Sequence, residues 1–120
     1  MYVRGLNRMT IDAFVAIVKA IDPDVSRYQR IRKPTDKAYS VWSDYGTGTL
    51  YANGVPAGKT KKIQVDYYTF TPDDPVALQF YQAFSENDEI TVLHNTDFET
   101  DTRYIHHIFD CEVVVDYGVV

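Results

Sequence analysis

Lys61-Lys62-Ile63-Gln64-Val65-Asp66-Tyr67-Tyr68-Thr69-Phe70-Thr71 is the stretch on which the fold turns. Ile63, Val65, Tyr67 and Thr69 are β-branched or aromatic and alternate with Gln64 and Asp66, the period of two of a half-buried strand with one packed and one wet face. Lys61 and Lys62 mark its start. Thr71-Pro72-Asp73-Asp74-Pro75 stops it with turn chemistry and opens a helix, with Asp74 as N-cap and Pro75 in the first helical position.

Downstream, the helical spacing sends Val76, Phe80, Ala83 and Phe84 to the core and leaves Gln79, Gln82 and Glu86 in water. The helix should end near residues 85–88. Residues 89–94 read as a short strand and residues 95–102 as an acidic loop anchored by Phe98. The last strand covers residues 103–117. In it Ile105, His107, Phe109, Cys111, Val113 and Val115 alternate with Tyr104, His106, Asp110, Glu112 and Asp116.

Upstream, residues 38–43 form a strand that turns Tyr39 and Val41 to one face and Trp42 to the other. Between it and Lys61 lies a segment holding four of the six glycines. Residues 44–60 are therefore expected to be a long mobile loop, and its Tyr45, Leu50, Tyr51, Asn53 and Val55 are candidates for an assembly interface. Its Gly-x-Gly pattern is followed by neither Gly-Lys-Ser/Thr nor a helix start, which excludes a phosphate-binding loop. Arg27, Arg30, Arg32 and Lys33 belong to the one basic concentration and are a candidate contact segment for protein or nucleic acid, the plainer reading being a solvated connection. Thr10 caps a helix over residues 11–21, with Ile11, Phe14, Val15, Val18 and Ile21 on one side and Asp22-Pro23-Asp24 as its stop. Residues 1–9 show no periodicity and read as a loose arm.

The elements predict an α+β fold: one small domain over 1–120, with an approximately four-stranded, mainly antiparallel or mixed sheet and two helices packed on one face. The 120 residues leave no room for a second core, and 45% hydrophobic residues is ordinary for a soluble protein. A net charge of −5 argues against general or sequence-specific nucleic-acid binding, which needs cations to neutralise phosphates. No apolar run approaches the ~20 residues of a membrane span and the N-terminus begins no signal-peptide pattern, so a soluble cytoplasmic product is expected. The single cysteine, Cys111, excludes an intrachain disulfide and a cysteine-rich zinc site. Ten tyrosines are a heavy load of a residue favoured at interfaces.

Candidate chemistry thins out on inspection. His106 and His107 are adjacent on a strand, so they face opposite ways and cannot share one metal ion, even with His94, Asp101 and Asp110 nearby. Cys111 and His107 share a face but stand ~13 Å apart along the strand, too far for a nucleophile pair. Asp66 with Asp110 or Glu112 is read as the solvated face of the sheet rather than a carboxylate pair. No catalytic, cofactor or metal residues are assigned, and no enzyme activity is expected.

The run Tyr39-Ser40-Val41-Trp42, then Tyr51-Ala52-Asn53-Gly54, then Ile63-Gln64-Val65-Asp66-Tyr67-Tyr68-Thr69, and finally Phe98-Glu99-Thr100-Asp101-Thr102-Arg103-Tyr104-Ile105-His106 resembles the small tail-completion proteins of long-tailed bacteriophages and prophages, also described as tail terminators or tail-to-head joining proteins. The likeness covers residues 10–116 and rests on the order and spacing of these segments. It implies a structural, non-catalytic protein without a cofactor that assembles as a ring, commonly a hexamer, on the end of the tail tube. Its partners would be the tail tube protein and the head–tail connector proteins, and its place the head-proximal end of the virion tail after assembly from the host cytoplasm. A second reading, from a different class, is a small ligand-binding domain or enzyme that uses the sheet face bearing Tyr104 and His106 as a pocket wall.

Overall fold

Thr10 accepts a hydrogen bond from the Ala13 amide through its Oγ at 3.0 Å, and this cap starts helix α1, Ile11–Ile21. The computed structural model describes residues 9–30 and 36–115. After α1 come a two-residue strand β1 (Ser26–Arg27), the long strands β2 (Ala38–Ala52) and β3 (Val55–Thr69), helix α2 (Pro75–Ser85), and strands β4 (Ile90–Phe98) and β5 (Ile105–Val115). Among the described residues the sheet has five strands in the order β1-β2-β3-β5-β4. β1 runs parallel to β2 and the other neighbours are antiparallel, so the sheet is mixed.

β3 lies between β2 and β5, and its odd positions behave as the alternation requires: Ile63, Val65, Tyr67 and Thr69 are all buried. Both helices lie over this face. Phe14 and Val18 of α1 and Ala77, Phe80 and Phe84 of α2 join Trp42, Phe109, Cys111 and Val113 in one core. The Phe14 and Phe84 rings stack 5.4 Å apart, which is how the two helices meet above the sheet. Ala77 rather than Ala83 is buried on α2, so the apolar stripe is rotated slightly from the expected one.

Asp74 joins sheet to helix. Its Oδ1 accepts the Val76 amide at 2.9 Å as the N-cap, while Oδ2 accepts from Tyr67 Oη at 2.8 Å and Thr69 Oγ1 at 2.6 Å. Burial works to raise its pKa, but these donors outweigh it and hold the carboxyl below the usual range.

Several expectations need correction. Residues 44–60 are not a mobile loop, because β2 continues through them to Ala52 and β3 begins at Val55, six residues before Lys61. The reversal is the Asn53-Gly54 pair, both at positive φ (53° and 76°), the conformation of a two-residue hairpin turn that twists with its strands. Register shifts between Asp44 and Gly46 and between Leu50 and Tyr51 interrupt the ladder and obscure the period of two in the sequence. Gly48 is there for space: a Cβ on it would lie 2.6 Å from Thr60 Oγ1 and 2.9 Å from Glu112 Oε2.

β4 extends to Phe98, through half of the expected acidic loop, and Phe98 is 51% exposed rather than an anchor. The sheet has five strands, not four, because the chain after α1 adds β1 beside Val41 and Trp42. Met9 is buried and donates its amide to Val114 O at 2.8 Å, so the loose arm expected over 1–9 does not include it; residues 1–8 lie outside the described residues, as do 116 and 117 of the expected last strand. The second face of β3 is not simply wet, for Asp66 is buried there against His106.

The position of Val65 generates the first prediction. Val65→Asp would place an unpaired carboxylate in the core and should cost more than about 4 kcal/mol, most of the margin of a domain at the low end of the roughly 5–15 kcal/mol range. Val55→Asp, at a residue 61% exposed, should change stability by only about 0.5 kcal/mol. Urea denaturation of both variants checks the assignment of faces, and a normal midpoint for Val65→Asp would reverse it.

Candidate assembly surfaces

The β2–β3 hairpin outruns the rest of the sheet. Among the described residues β5 accompanies β3 as far as Lys59, where Val115 is the partner, and residues 49–58 pair with each other as a two-stranded ribbon. The molecule measures 53 × 23 × 22 Å, and its radius of gyration of 15.8 Å exceeds the ~14 Å of a compact chain this long.

Of the five interface candidates, Tyr45 lies at the root of this arm and Leu50, Tyr51, Asn53 and Val55 at its tip. Tyr45, Tyr51 and Val55 are 55%, 62% and 61% exposed, Asn53 is exposed in the turn, and Leu50 is half-buried. The arm thus carries exposed apolar groups far from the core. Tyr45 Oη reaches Asp110 Oδ1 at 3.5 Å, and desolvation followed by that carboxylate raises its pKa. Thr60 donates to Glu112 across the root of the arm, tying β3 to β5 where the ribbon leaves the sheet.

Two of the four basic candidates, Arg27 and Arg30, are engaged within the chain. Arg27 donates to Asp44 Oδ1 at 2.8 Å while its guanidinium lies 4.6 Å from the Trp42 ring and 4.9 Å from the Tyr28 ring. Tyr28 Oη donates to the same Asp44 oxygen at 2.9 Å. The hydrogen bond from Arg27 is the chief reason that the Asp44 carboxyl sits below its ordinary pKa. Arg30 pairs with Asp36, donates to the Asp24 carbonyl and lies over Tyr39. Both arginines hold the connection after α1 against β2. Arg32 and Lys33 lie outside the described residues.

On the helix-free face, aromatic rings fill the place where the ligand-binding reading put a pocket wall. Tyr68 stacks between Tyr39 at 4.6 Å and His106 at 4.2 Å, and Phe70 stacks on Tyr104 at 4.1 Å. Tyr104 is fully buried and donates its hydroxyl to the Asp36 carbonyl at 2.7 Å. His106 Nε2 lies 2.7 Å from Asp66 Oδ1, and its Nδ1 3.7 Å from Glu99. Asp66 therefore pairs with a histidine instead of Asp110 or Glu112, opposite which β3 places Gln64 and Lys62.

The cavity of interest is elsewhere. A groove of about 730 Å³ lies at the end of the molecule away from the arm tip, between the start of α2 and the ends of β4 and β5. Pro72, Leu78, Tyr81, His94, Ile105 and His107 line it, and Asp73 and Asp74 stand at one end. The β4–β5 register sets Thr96 opposite His107 and Phe109 opposite His94, so the two histidines are diagonal neighbours on the helix-covered face. His94 Nε2 is 3.0 Å from His107 Nδ1, a contact in which one nitrogen donates and the other accepts. His94 also stacks on Phe109 at 4.5 Å. The sequence reading missed this pair because it depends on the register between two strands, which neither strand encodes alone. His107 Nε2 is buried and makes no hydrogen bond within the described residues. Among those residues no three His, Cys, Asp or Glu come together to hold a metal, and no helix is long and apolar enough to cross a membrane. Cys111 is buried, and burial raises its thiol pKa.

A scan against protein-family models and a search of curated proteins found no match for this chain.

Burial lowers the pKa of His94 and His107, the latter helped by repulsion from His94 and opposed by Asp74. The folded state therefore binds fewer protons than the unfolded chain below its ordinary histidine pKa, and stability rises with pH there. The penalty is absent well above pH ~6.5, grows as pH falls from there towards the lowered folded values, and levels off below them. The melting temperature of the wild type should drop between pH 7 and 5, and the drop should shrink in His94→Gln/His107→Gln. Equal slopes in thermal scans of the two proteins would show that the pair does not carry the dependence.

Proposed function

We propose that the protein is a structural assembly module: a phage or prophage tail-completion protein that caps the tail tube as a ring and joins it to the head. The observation that carries this reading is the arm, an ordered hairpin that extends the sheet past its core and presents Tyr51 and Val55 to solvent. Exposed apolar groups at the end of a two-stranded ribbon add little to the stability of an isolated domain, and they suit insertion into another molecule. The resemblance of the segments around Trp42, Asn53, Val65 and Phe98 to tail-completion proteins supplies the identity of the assembly. The net charge of −5 favours a protein partner over nucleic acid. On this reading the subunit would be monomeric or weakly associated alone and would form rings on the tube, where a template offsets the entropy of association.

The hairpin register defines a clean test. Replacing residues 49–59 by an Asn-Gly turn keeps Gly48 opposite Thr60 and removes no buried residue. The shortened protein should fold with a melting temperature close to that of the wild type. A phage carrying it should give tails of uncontrolled length or heads left unjoined, visible by electron microscopy. Normal infectious particles would overturn the assembly role.

A further inference from the structure

Among the described residues Asn53 is the asparagine followed by a glycine, and the pair forms the turn of the arm. Both residues are exposed, and the ladder stops on either side of them, at Ala52 and Val55. Apart from its chain neighbours, no atom lies within 4 Å of where a Cβ on Gly54 would stand, so its amide nitrogen is open to approach. The tip is also lightly held. Beyond the register shift between Leu50 and Tyr51 two pairs remain, Tyr51 with Pro56 and Ala52 with Val55. Pro56 has no N–H to give, so opening the turn breaks few hydrogen bonds. The other described asparagines are placed differently. Asn87 Oδ1 accepts the Glu89 amide at 2.9 Å, Asn95 is paired with Ile108 in β4, and the residues that follow them, Asp88 and Thr96, carry side chains.

We propose that Asn53 is a site of spontaneous deamidation through a succinimide, a covalent modification that turns the neutral arm tip anionic. The Gly54 amide nitrogen attacks Asn53 Cγ. The N–Cγ bond forms, the Cγ–Nδ2 bond breaks, and the side-chain nitrogen leaves as ammonia with the proton of the Gly54 amide. Water from the solvent then adds to either carbonyl of the ring, and the bond from that carbon to the ring nitrogen breaks. Opening at Cγ gives aspartate; opening at the backbone carbonyl gives isoaspartate, whose main chain runs through the side-chain methylene. The net reaction converts an amide and water to a carboxylate and ammonium, with no oxidant or reductant.

The position gives the change a consequence. Residues 45–62 contain no carboxylate, and the exposed Tyr51 and Val55 flank the turn. A carboxylate between them must be desolvated before the tip can enter an apolar partner, and the added backbone methylene of isoaspartate breaks the two-residue turn. Conversion therefore disarms the tip of an ageing subunit. That effect rests on the assembly reading above; the chemistry at Asn53 does not.

Trypsin isolates the site, because it cuts after Lys37 and Lys59 and the peptide 38–59 contains Asn53 as its one side-chain amide. After incubation of the purified protein in mildly alkaline buffer, this peptide should gain about 1 Da and divide into two chromatographic products, of which the isoaspartyl one is methylated by protein isoaspartyl methyltransferase. The peptide 63–103, which holds Asn87 and Asn95, should keep its mass over the same period. Asn53→Gln, with a side chain one methylene too long for the same ring, should leave peptide 38–59 unchanged. An unchanged wild-type peptide, an earlier mass gain in 63–103, or an aspartyl product alone would overturn the proposal. For the consequence, fresh and aged protein are added to extracts of cells infected by a phage that lacks this gene. Fresh protein should restore infectious particles, aged protein should lose that ability in proportion to converted Asn53, and aged Asn53→Gln should keep it. Aged wild type that restores particles as well as fresh would overturn the disarming and leave the modification site. Fresh protein that restores none would overturn the assembly reading, while the mass gain would stand.

Discussion

Burial of one face of β3 is the constraint from which the remaining structure follows. Ile63, Val65, Tyr67 and Thr69 cannot be covered by β2 and β5, which lie beside β3 in the same sheet, so a second layer is required. α1 and α2 supply it with Phe14, Val18, Phe80 and Phe84. Tyr67 and Thr69 bring polar hydroxyls into that layer, where an unpaired donor would be costly. Asp74 accepts both and caps α2 with its other oxygen, so the group that satisfies the strand also sets where the helix begins. The entrance of the groove is fixed by the same junction.

The two ends of β3 then have different fates. At the Thr69 end the strand passes directly into the helix layer, and its side chains are enclosed. Towards Val55, among the described residues, neither β5 nor a helix accompanies the hairpin, and its side chains are exposed or half-buried. The hairpin stays paired because its ladder and the Asn53-Gly54 turn need no core. What results is a hydrogen-bonded projection that carries exposed apolar residues away from the core.

The three histidines show how strand parity divides chemistry within one sheet. His106 points to the helix-free face, where Asp66 and Glu99 provide carboxylates and Tyr68 covers its ring. His107 points the other way and meets His94, with burial pushing both towards the neutral form. Adjacent residues of one strand are thereby given opposite electrostatic surroundings.

Both helices could be read from the chain, since Thr10, Asp74 and Pro75 are local signals whose capping bonds close within three residues. The packed face of β3 was equally legible in the alternation of Ile63, Val65, Tyr67 and Thr69. The arm was not, although Asn53-Gly54 is a hairpin signal: two register shifts break the period of two and the glycines suggest a loop. β1 escaped notice because two residues next to Trp42 have no pattern of their own. The interface candidates Tyr51 and Val55 could be named from composition, but their distance from the groove is a property of strand pairing. So are the contact of His94 with His107 and the burial of Asp66 beside His106. Local bonds and one-strand periodicity reside in neighbouring residues, and the amino-acid sequence alone determined them. Register, edge position and the meeting of side chains from separate strands arise only when hydrogen-bonded ladders align distant segments, and the tertiary structure decided those.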